Sequence, residues 1–557
     1  MIGSIAAQVV ENQPINMRPG AVESLVDAKG WLEECMREHH TCIKPNPGFK
    51  PTRLVEIIGD HNRVRCRLVE TSREENEPYA ALSYCWGGDQ TFKTTAKAVE
   101  RYLENIDADV LPQTLQDAIF VTQNLGINYL WIDALCIIQD SAADKAVEIG
   151  RMAQVYGNAT VTIAATRANA VWEGFLGDRA ALGSRSPTKI FSLPCQGSGR
   201  SLGMLTLLPF TYENTDPLDT RGWTFQERVL SPRVIDFGTL RTLYTCQTTL
   251  GHIHSDGWSS LPIDRAYGSD LDSQVISDLI AGVYPAEEML QYWLKIVQGF
   301  TSRALSFTTD RLPAIAGMAE CFGSVLRDQY CAGLWRKGMP ESLLWTAGTR
   351  IQHIQNDLEP RLCGDSIAAP SWSWGAVSRP VQYDPLYTQR TDDHITFLAE
   401  IRDCDLELED DRAQYGALKK GLLTLQCWIR PANWVMKNIY GDPKILLAAE
   451  DGAEAFGLGF RGGERTGISF VPDASEPEFT DDPSRSLDVY LMLFGTVRTD
   501  EASGLYPSFF GIVARKVKGE GAIFSRVGIF QKTIDRREWD RYMEWFQHKD
   551  KREVVLV

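Results

Sequence analysis

A chain of 557 residues is too long for one ordinary core, and 44% hydrophobic with 23% charged residues marks a globular protein rather than a disordered one. A net charge of −16 without a long Lys/Arg run excludes the basic face with which a nucleic-acid binder neutralises phosphates. No run approaches the ~18 apolar residues of a membrane span, and MIGSIAAQVVENQP lacks the basic and apolar regions of a secretory signal. The 12 cysteines carry no CxxC pair, so the expectation is a cytoplasmic protein with reduced, mostly buried thiols. Its 15 tryptophans point to large aromatic cores or stacking pockets.

Residues 1–27 have weak periodicity and read as an N-terminal arm. Trp31, Leu32 and Cys35 lie at helical spacing and predict a helix over 28–42. KPNPGFKPTR is a Pro/Gly-rich loop, and RLVEI and RVRCRLV alternate as half-buried strands. YAALSYCW then reads as a strand, GGDQ as a turn and TTAKAVERYLENI as a helix. LPQTLQDAIFVTQNLG is a punctuated helix: Pro112 starts it, Leu115, Ala118, Ile119 and Thr122 share a face, and Gly126 closes it. NYLWIDALCII reads as the next strand, 142–156 as a helix and TVTIAAT as a strand. This alternation predicts an α/β layer on a largely parallel sheet.

After Arg179 the pattern loosens. SLPCQGSGRSLG reads as a surface loop, with MLTLLPF and RVIDFGTLRTLYTC as strands around DTRGWTFQERVLSP. Residues 276–348 read as helical, led by EEMLQYWLKIVQGFTSRAL and LPAIAGMAECFGSVL. From Ser371 the character is β: SWSWGAV, ITFLAEI, LLTLQCWI, LDVYLMLF, SFFGIVARKV and SRVGIF. The organisation expected is an arm (1–27), an α/β domain (28–250), a helical middle region (251–368) and a β-rich C-terminal domain (369–557), without internal repeats.

Several literal motif matches fail on context. Gly199-Arg200-Ser201-Leu202-Gly203 fits G-x-S-x-G, but a nucleophile elbow needs a helix after the serine and MLTLLPF is strand-like. Gly457, Gly459 and Gly462 fit G-x-G-x-x-G without the strand–turn–helix that a dinucleotide site requires. Cys35-x3-His39-x2-Cys42 and His252-x-His254 fall short of a closed zinc set locally, so no metal is expected. His39 reads instead as a helix C-terminal residue facing the dipole.

Ligands of α/β layers bind outside the carboxyl ends of the parallel strands. Residues 83–88 after one strand, Asp133 and Asp140 at another, and the helix bearing Glu148 converge on such an edge. On that helix Ile149, Met152, Ala153 and Tyr156 form an apolar stripe, and Glu148 lies about 40° from Met152, at its margin. Two readings stay open: a ligand-facing carboxylate, or an i,i+3 pair with Arg151 worth tenths of a kcal/mol.

YAALSYCWGG (79–88), LPQTLQDAIFVTQNLGINYLWIDALCIIQD (111–140), RMAQVYGNATVTIAAT (151–166) and RGWTFQERVLSPRVIDFG (221–238) resemble the fungal heterokaryon incompatibility (HET) domain, over about 31–237. FTTDRLPAIAGMA, YCAGLWRKGMPESLLW and APSWSWGAV resemble pieces of longer HET proteins. The resemblance implies a fungal source and a role in non-self recognition and programmed cell death. The HET domain has been likened to the TIR domain, a flavodoxin-like α/β module that commonly cleaves NAD at the nicotinamide–ribose bond with a glutamate on a helix after a central strand.

The fold so implied is α/β, with a flavodoxin/TIR-like parallel sheet core in the HET region, a helical middle segment and a β-rich C-terminal lobe. Glu148 resembles the TIR glutamate, and Asp133 would bind a hydroxyl or orient a neighbour. Ser83, Tyr84, Cys85, Trp86, Gly87 and Gly88 would border the dinucleotide, with Trp86 stacking on a ring and backbone N–H groups meeting pyrophosphate. Arg151 would line the same site. Arg221, Gln226, Glu227 and Arg228 would complete a phosphate or ribose pocket, or else form a buried Arg–Glu network between layers. No cofactor is implied, NAD being the substrate. The partners expected are a small nucleotide or other small molecule and further copies of the chain. The alternatives are a non-catalytic, self-associating cell-death module and a HET-like enzyme recruited to small-molecule (secondary metabolite) biosynthesis.

Overall fold

The computed structural model describes residues 16–59, 64–71, 77–179, 191–197, 200–207, 216–239, 241–248, 253–254, 275, 278–279, 281–348, 369–384, 394–411, 413–436, 443–447, 469–474, 486–498, 507–517, 519 and 521–557. The chain divides into two compact units, Met1–Val283 and Tyr284–Val557. Gly199, His252, Gly457, Gly459 and Gly462, named in the motifs above, lie outside the described residues.

The first unit is built on an eight-stranded sheet. In chain order its strands are β1 (Arg53–Ile58), β2 (Arg65–Glu70), β3 (Tyr79–Ser83), β4 (Tyr129–Trp131), β5 (Val161–Ala164), β8 (Arg233–Phe237), β9 (Thr242–Cys246) and β10 (Ile253–His254), while β6 (Phe191–Gly197) and β7 (Arg200–Leu207) form a separate hairpin. The sheet order is β10-β9-β8-β5-β3-β4-β1-β2. The four central strands run parallel, and both edges are antiparallel. Parallel neighbours need crossovers. Among them are α2 (Val99–Glu104) and α3 (Gln113–Asn124) between β3 and β4, then α4 (Asp133–Cys136), α5 (Ala142–Gly150) and α6 (Met152–Gly157) before β5. Helix α7 (Trp223–Leu230) leads into β8, and α1 (Val22–Glu38) precedes the sheet. Every residue of β3 and β5 is buried, as strands covered on both faces must be. Leu82, Leu130, Ile163 and Ile235 join one core with Leu32, Leu115, Ile119 and Val155 from the helices, each such side chain stabilising the fold by about 1.5–3 kcal/mol.

Four local expectations in the first unit need correction. Helix α1 starts at Val22, six residues before the periodicity suggested, and ends at Glu38. The run NYLWIDALCII is strand only to Trp131: the Asp133 carboxylate accepts from the Ala134 N–H at 2.6 Å, a local bond that turns the chain into α4. The segment read as one helix breaks at Arg151 (φ −106°, ψ 0°), which changes the face that α5 buries. SLPCQGSGRSLG supplies most of the β6–β7 hairpin rather than a loop.

In the second unit, α8 (Ala286–Thr301) and α9 (Ala316–Leu326) are followed by the short strands β11 (Tyr330–Cys331), β12 (Leu334–Trp335), β13 (Trp345–Ala347) and β14 (Val381–Tyr383). SWSWGAV is a turn and a 3-10 helix, not a strand; Trp372 and Trp374 are still fully buried. Then come β15 (Ile395–Phe397), β16 (Glu400–Leu408), β17 (Leu418–Met436), β18 (Pro443–Leu447), β19 (Ser469–Pro472), β20 (Ser486–Val497), β21 (Ser508–Lys516), β22 (Ile523–Thr533) and β23 (Arg552–Leu556). The pairings β17–β20, β20–β21, β21–β22, β22–β23 and β23–β17 close a ring, which removes edges from its five strands. Helix α10 (Trp539–Gln547) makes the crossover between the parallel pair β22 and β23, and its Tyr542 and Phe546 enter the core with Phe509 and Phe530.

Candidate functional site

The central parallel strands lie in the order β4-β3-β5-β8, so the chain leaves β3 to one side for β4 and returns to its other side for β5. The crevice at the carboxyl ends of β3 and β5 is therefore the point where the winding reverses, the usual ligand position in open α/β sheets. Ser83 and Ala164 are paired there as the last residues of the two strands. Beyond Ser83 the chain turns through Gly87 (φ 76°) and Gly88 (φ 134°). A Cβ on Gly87 would sit 2.2 Å from the Ala170 Cβ, so only glycine lets this loop lie against 170–171.

Two carboxylates converge on this crevice. Asp133 accepts from Trp86 Nε1 at 2.8 Å and from the Tyr84 hydroxyl, which in turn accepts from Gln90 Nε2 at 3.2 Å. Burial pushes the Asp133 carboxyl upward, against the downward pull of Trp86, Tyr84 and the Ala134 N–H. Glu227, on α7, accepts from Ser83 Oγ at 2.5 Å. Burial and the Asp133 charge push its carboxyl up, while Ser83, Arg221 and Tyr156 pull it down, and it settles at about 7. The Tyr156 hydroxyl also donates to the Leu82 carbonyl at 3.0 Å. Arg221 is the cation of the cluster, acting on Asp133, Glu227 and the Cys85 thiol. Burial holds Cys85 at about 11, so it stays a neutral thiol packed with Ala164, Leu218 and Val234.

Helix α7 is fixed at both ends. Thr224 Oγ1 donates to the Leu218 and Arg221 carbonyls, and Ser231 Oγ donates to the Glu227 carbonyl at 2.5 Å. Arg228 pairs with Asp219 at 3.0 Å and with Asp236. RGWTFQERVLSP thus contains both a structural network, around Arg228, and a carboxylate turned to the strand end, Glu227. Ser83, Thr162, Ala164, Leu218, Arg228 and Val234 are among the walls of a narrow cleft above these strands, about 10 Å³ in volume.

Glu148 is buried elsewhere on the same sheet edge, two strands along. Its Oε1 accepts from Thr52, just before β1, and its Oε2 has no hydrogen-bond partner among the described residues. It is the one buried side chain of α5, whose Val147 and Ile149 are exposed. Arg151 makes no pair with it: its guanidinium donates to Thr52 Oγ1 at 3.1 Å and the Lys50 carbonyl at 2.8 Å and lies over Phe49. Arg53 pairs with Asp144 at 2.5 Å beside them. Glu148 and Asp133 both act on the Cys136 thiol, which burial holds at about 12. Ser83, Tyr84, Cys85, Trp86, Asp133, Arg221 and Glu227 therefore form one cluster, with Gly87 and Gly88 at its rim, and Glu148 and Arg151 form another around Thr52.

The family model described as Heterokaryon incompatibility protein (HET) matches residues 79–227. The chain carries a HET domain. The match starts at the first residue of β3 and ends at Glu227, so the crevice cluster lies wholly inside the HET domain. No curated protein and no solved structure matches the chain. Among the described residues, no helix is long and apolar enough to cross a membrane. Two polar residues of this sheet edge, Tyr156 and Thr52, were not among the site residues expected from the sequence. Tyr156 had a signal, since a tyrosine on an apolar stripe needs a buried partner for its hydroxyl; Thr52, in a Pro-rich loop, had none.

Proposed function

We propose that the HET domain hydrolyses NAD or a related nucleotide at the N-glycosidic bond, in the cytoplasm, as part of non-self recognition and cell death. The observation that carries this reading is Glu227: a buried carboxylate, hydrogen-bonded to the last residue of β3 at the reversal of winding, with Asp133 and Arg221 beside it. The strand order supports a flavodoxin/TIR-like core, with α7 as the helix between β5 and β8.

The chemistry asks little of the protein. The transition state is an oxocarbenium-like ribose, and nicotinamide leaves activated by its positive ring charge. One carboxylate that meets the ribose and the developing cation in a dry crevice stabilises that state. Glu227 takes this role, Asp133 holds a hydroxyl, and Arg221 meets phosphate. The ribose lies at the mouth of the cleft, whose enclosed volume of about 10 Å³ is that of a single water. The rest of the dinucleotide lies along Trp86 and the exposed Gly87 and Gly88. Glu148 and Arg151 are the second candidate pair, supported by the buried Glu148 oxygen that lacks a partner among the described residues.

Nicotinamide release from NAD by the full chain tests the reading. The wild type should release it, Glu227→Gln should lower the rate by roughly 10²–10³, the range for loss of one preorganised electrostatic group, and Glu148→Ala should retain most of it. Loss with Glu148→Ala alone would move the catalytic role to Glu148, and retention in both variants would remove this edge from the mechanism. No release by the wild type, even at concentrations that favour self-association, would favour the non-catalytic module. One observation favours the small-molecule alternative: a largely apolar cleft in the second unit, about 30 Å³ in volume, with Leu290, Trp293, Leu294 and Trp335 among its walls.

A further inference from the structure

Cys35 lies in the last turn of α1, His39 is its C-cap, Cys42 lies in the bend just after the helix, and Cys246 ends β9. One ligand atom from each of the four lies within 4.8 Å of all the others. His39 Nδ1 is 3.3 Å from the Cys246 sulfur and 3.9 Å from that of Cys42. A tetrahedral zinc with its usual bonds to sulfur and nitrogen places its ligand atoms about 3.5–3.8 Å apart, so small side-chain adjustments suffice to seat the ion. We propose that Cys35, His39, Cys42 and Cys246 form a structural zinc site that fastens the end of α1 to strand β9.

A second observation points the same way. Arg233 is fully buried and pairs with no carboxylate among the described residues. Its Nε donates to the Cys35 sulfur at 3.3 Å, and its other nitrogens reach the Thr160 and Ile43 carbonyls at 3.4 and 3.0 Å. A buried cation needs a compensating charge. Three thiolates around a dication leave one negative charge, and Arg233 cancels it. The Thr248 hydroxyl, 3.1 Å from the Cys42 sulfur, supplies a further outer-shell contact. Outer-shell donors of this kind orient thiolates and set metal affinity.

With three sulfurs and one imidazole the protein fills all four positions, which marks a structural site rather than a catalytic one. Its geometry could not be read from spacing alone, because Cys35-x3-His39-x2-Cys42 supplies three donors and the fourth comes from 207 residues beyond His39. His39 is the least buried of the four and gives the ion its way in.

The test uses the full chain without an affinity tag, purified under reducing conditions, with bound metal measured by mass spectrometry. One zinc per chain is expected. Cys42→Ser and Cys246→Ser should lose it, and Arg233→Met should lower zinc affinity by roughly 10–100-fold. Cobalt in place of zinc should give the intense visible bands of a tetrahedral thiolate site. Since serine variants can fail to fold, Cys42→His keeps four donors and should retain one metal with a shifted cobalt spectrum. A wild type that binds neither zinc nor cobalt, a Cys246→Ser form that keeps full occupancy, or a Cys35–Cys246 disulfide in protein from reducing cytosol would each overturn the proposal.

Discussion

Burial holds the Glu227 carboxyl at about 7 against an ordinary 4.5, although Ser83 and Tyr156 hydrogen-bond to it. The fold therefore favours the protonated form. Stability from this group is complete below the unfolded value, is lost as pH rises through about 7, and amounts to about 3 kcal/mol. Denaturant melts on either side of that window should show the wild type weakening toward alkaline pH, with Glu227→Gln flattening the trend. If the anion is the reacting form, nicotinamide release should climb over the same window. Gly87 makes a separate case. Alanine there would bring a left-handed φ of 76° together with a 2.2 Å approach to Ala170, and should lower stability by about 1–3 kcal/mol in thermal melts. Residue type and strand ends were enough to name Ser83, Trp86, Asp133 and Glu227 as candidates. Their grouping was not: Glu148 stood out on a helical wheel, yet it turned to Thr52 while Glu227 took Ser83.

Helix α5 shows how little a short element can rest on. Glu148 is its one buried side chain, and Ser141 caps it by accepting from the Asp144 N–H at 3.2 Å. Ser141→Ala should cost about 0.5–2 kcal/mol of stability in denaturant melts. Amide exchange should be faster in α5 than in α3, which buries Leu115, Ala118, Ile119 and Val121. Periodicity described α3 well because one apolar face ran its full length between Pro112 and Gly126. It misplaced α5 and α6 because the break at Arg151 rotates one half against the other, exposing Ile149 while Met152 stays buried. That break leaves Arg151 bonded to Lys50 and Thr52, 101 and 99 residues away, partners no local window contains.

Both units bury Arg–Asp pairs, and the most deeply buried one lies in the second. Arg526 and Asp473, almost wholly buried, pair at 2.8 Å, and Arg526 also donates to the Leu343 and Trp345 carbonyls and lies over the Trp345 ring. Asp473→Ala would leave that guanidinium without its carboxylate and should cost about 3–5 kcal/mol. Calorimetry should show the loss in a transition of the second unit, with the transition of the first in place. By itself the sequence determined what short-range periodicity determines: α/β alternation around a parallel sheet, a β-rich C-terminal part, glycines at the β3 loop and a chain segment that reads as a HET domain. The tertiary structure alone decided which carboxylate meets Ser83, that β17 and β20 close a ring, and that Cys246 arrives beside Cys35, His39 and Cys42. Local pattern follows from side-chain spacing along one element, whereas these meetings join residues more than fifty apart and depend on which strands neighbour each other in the sheet.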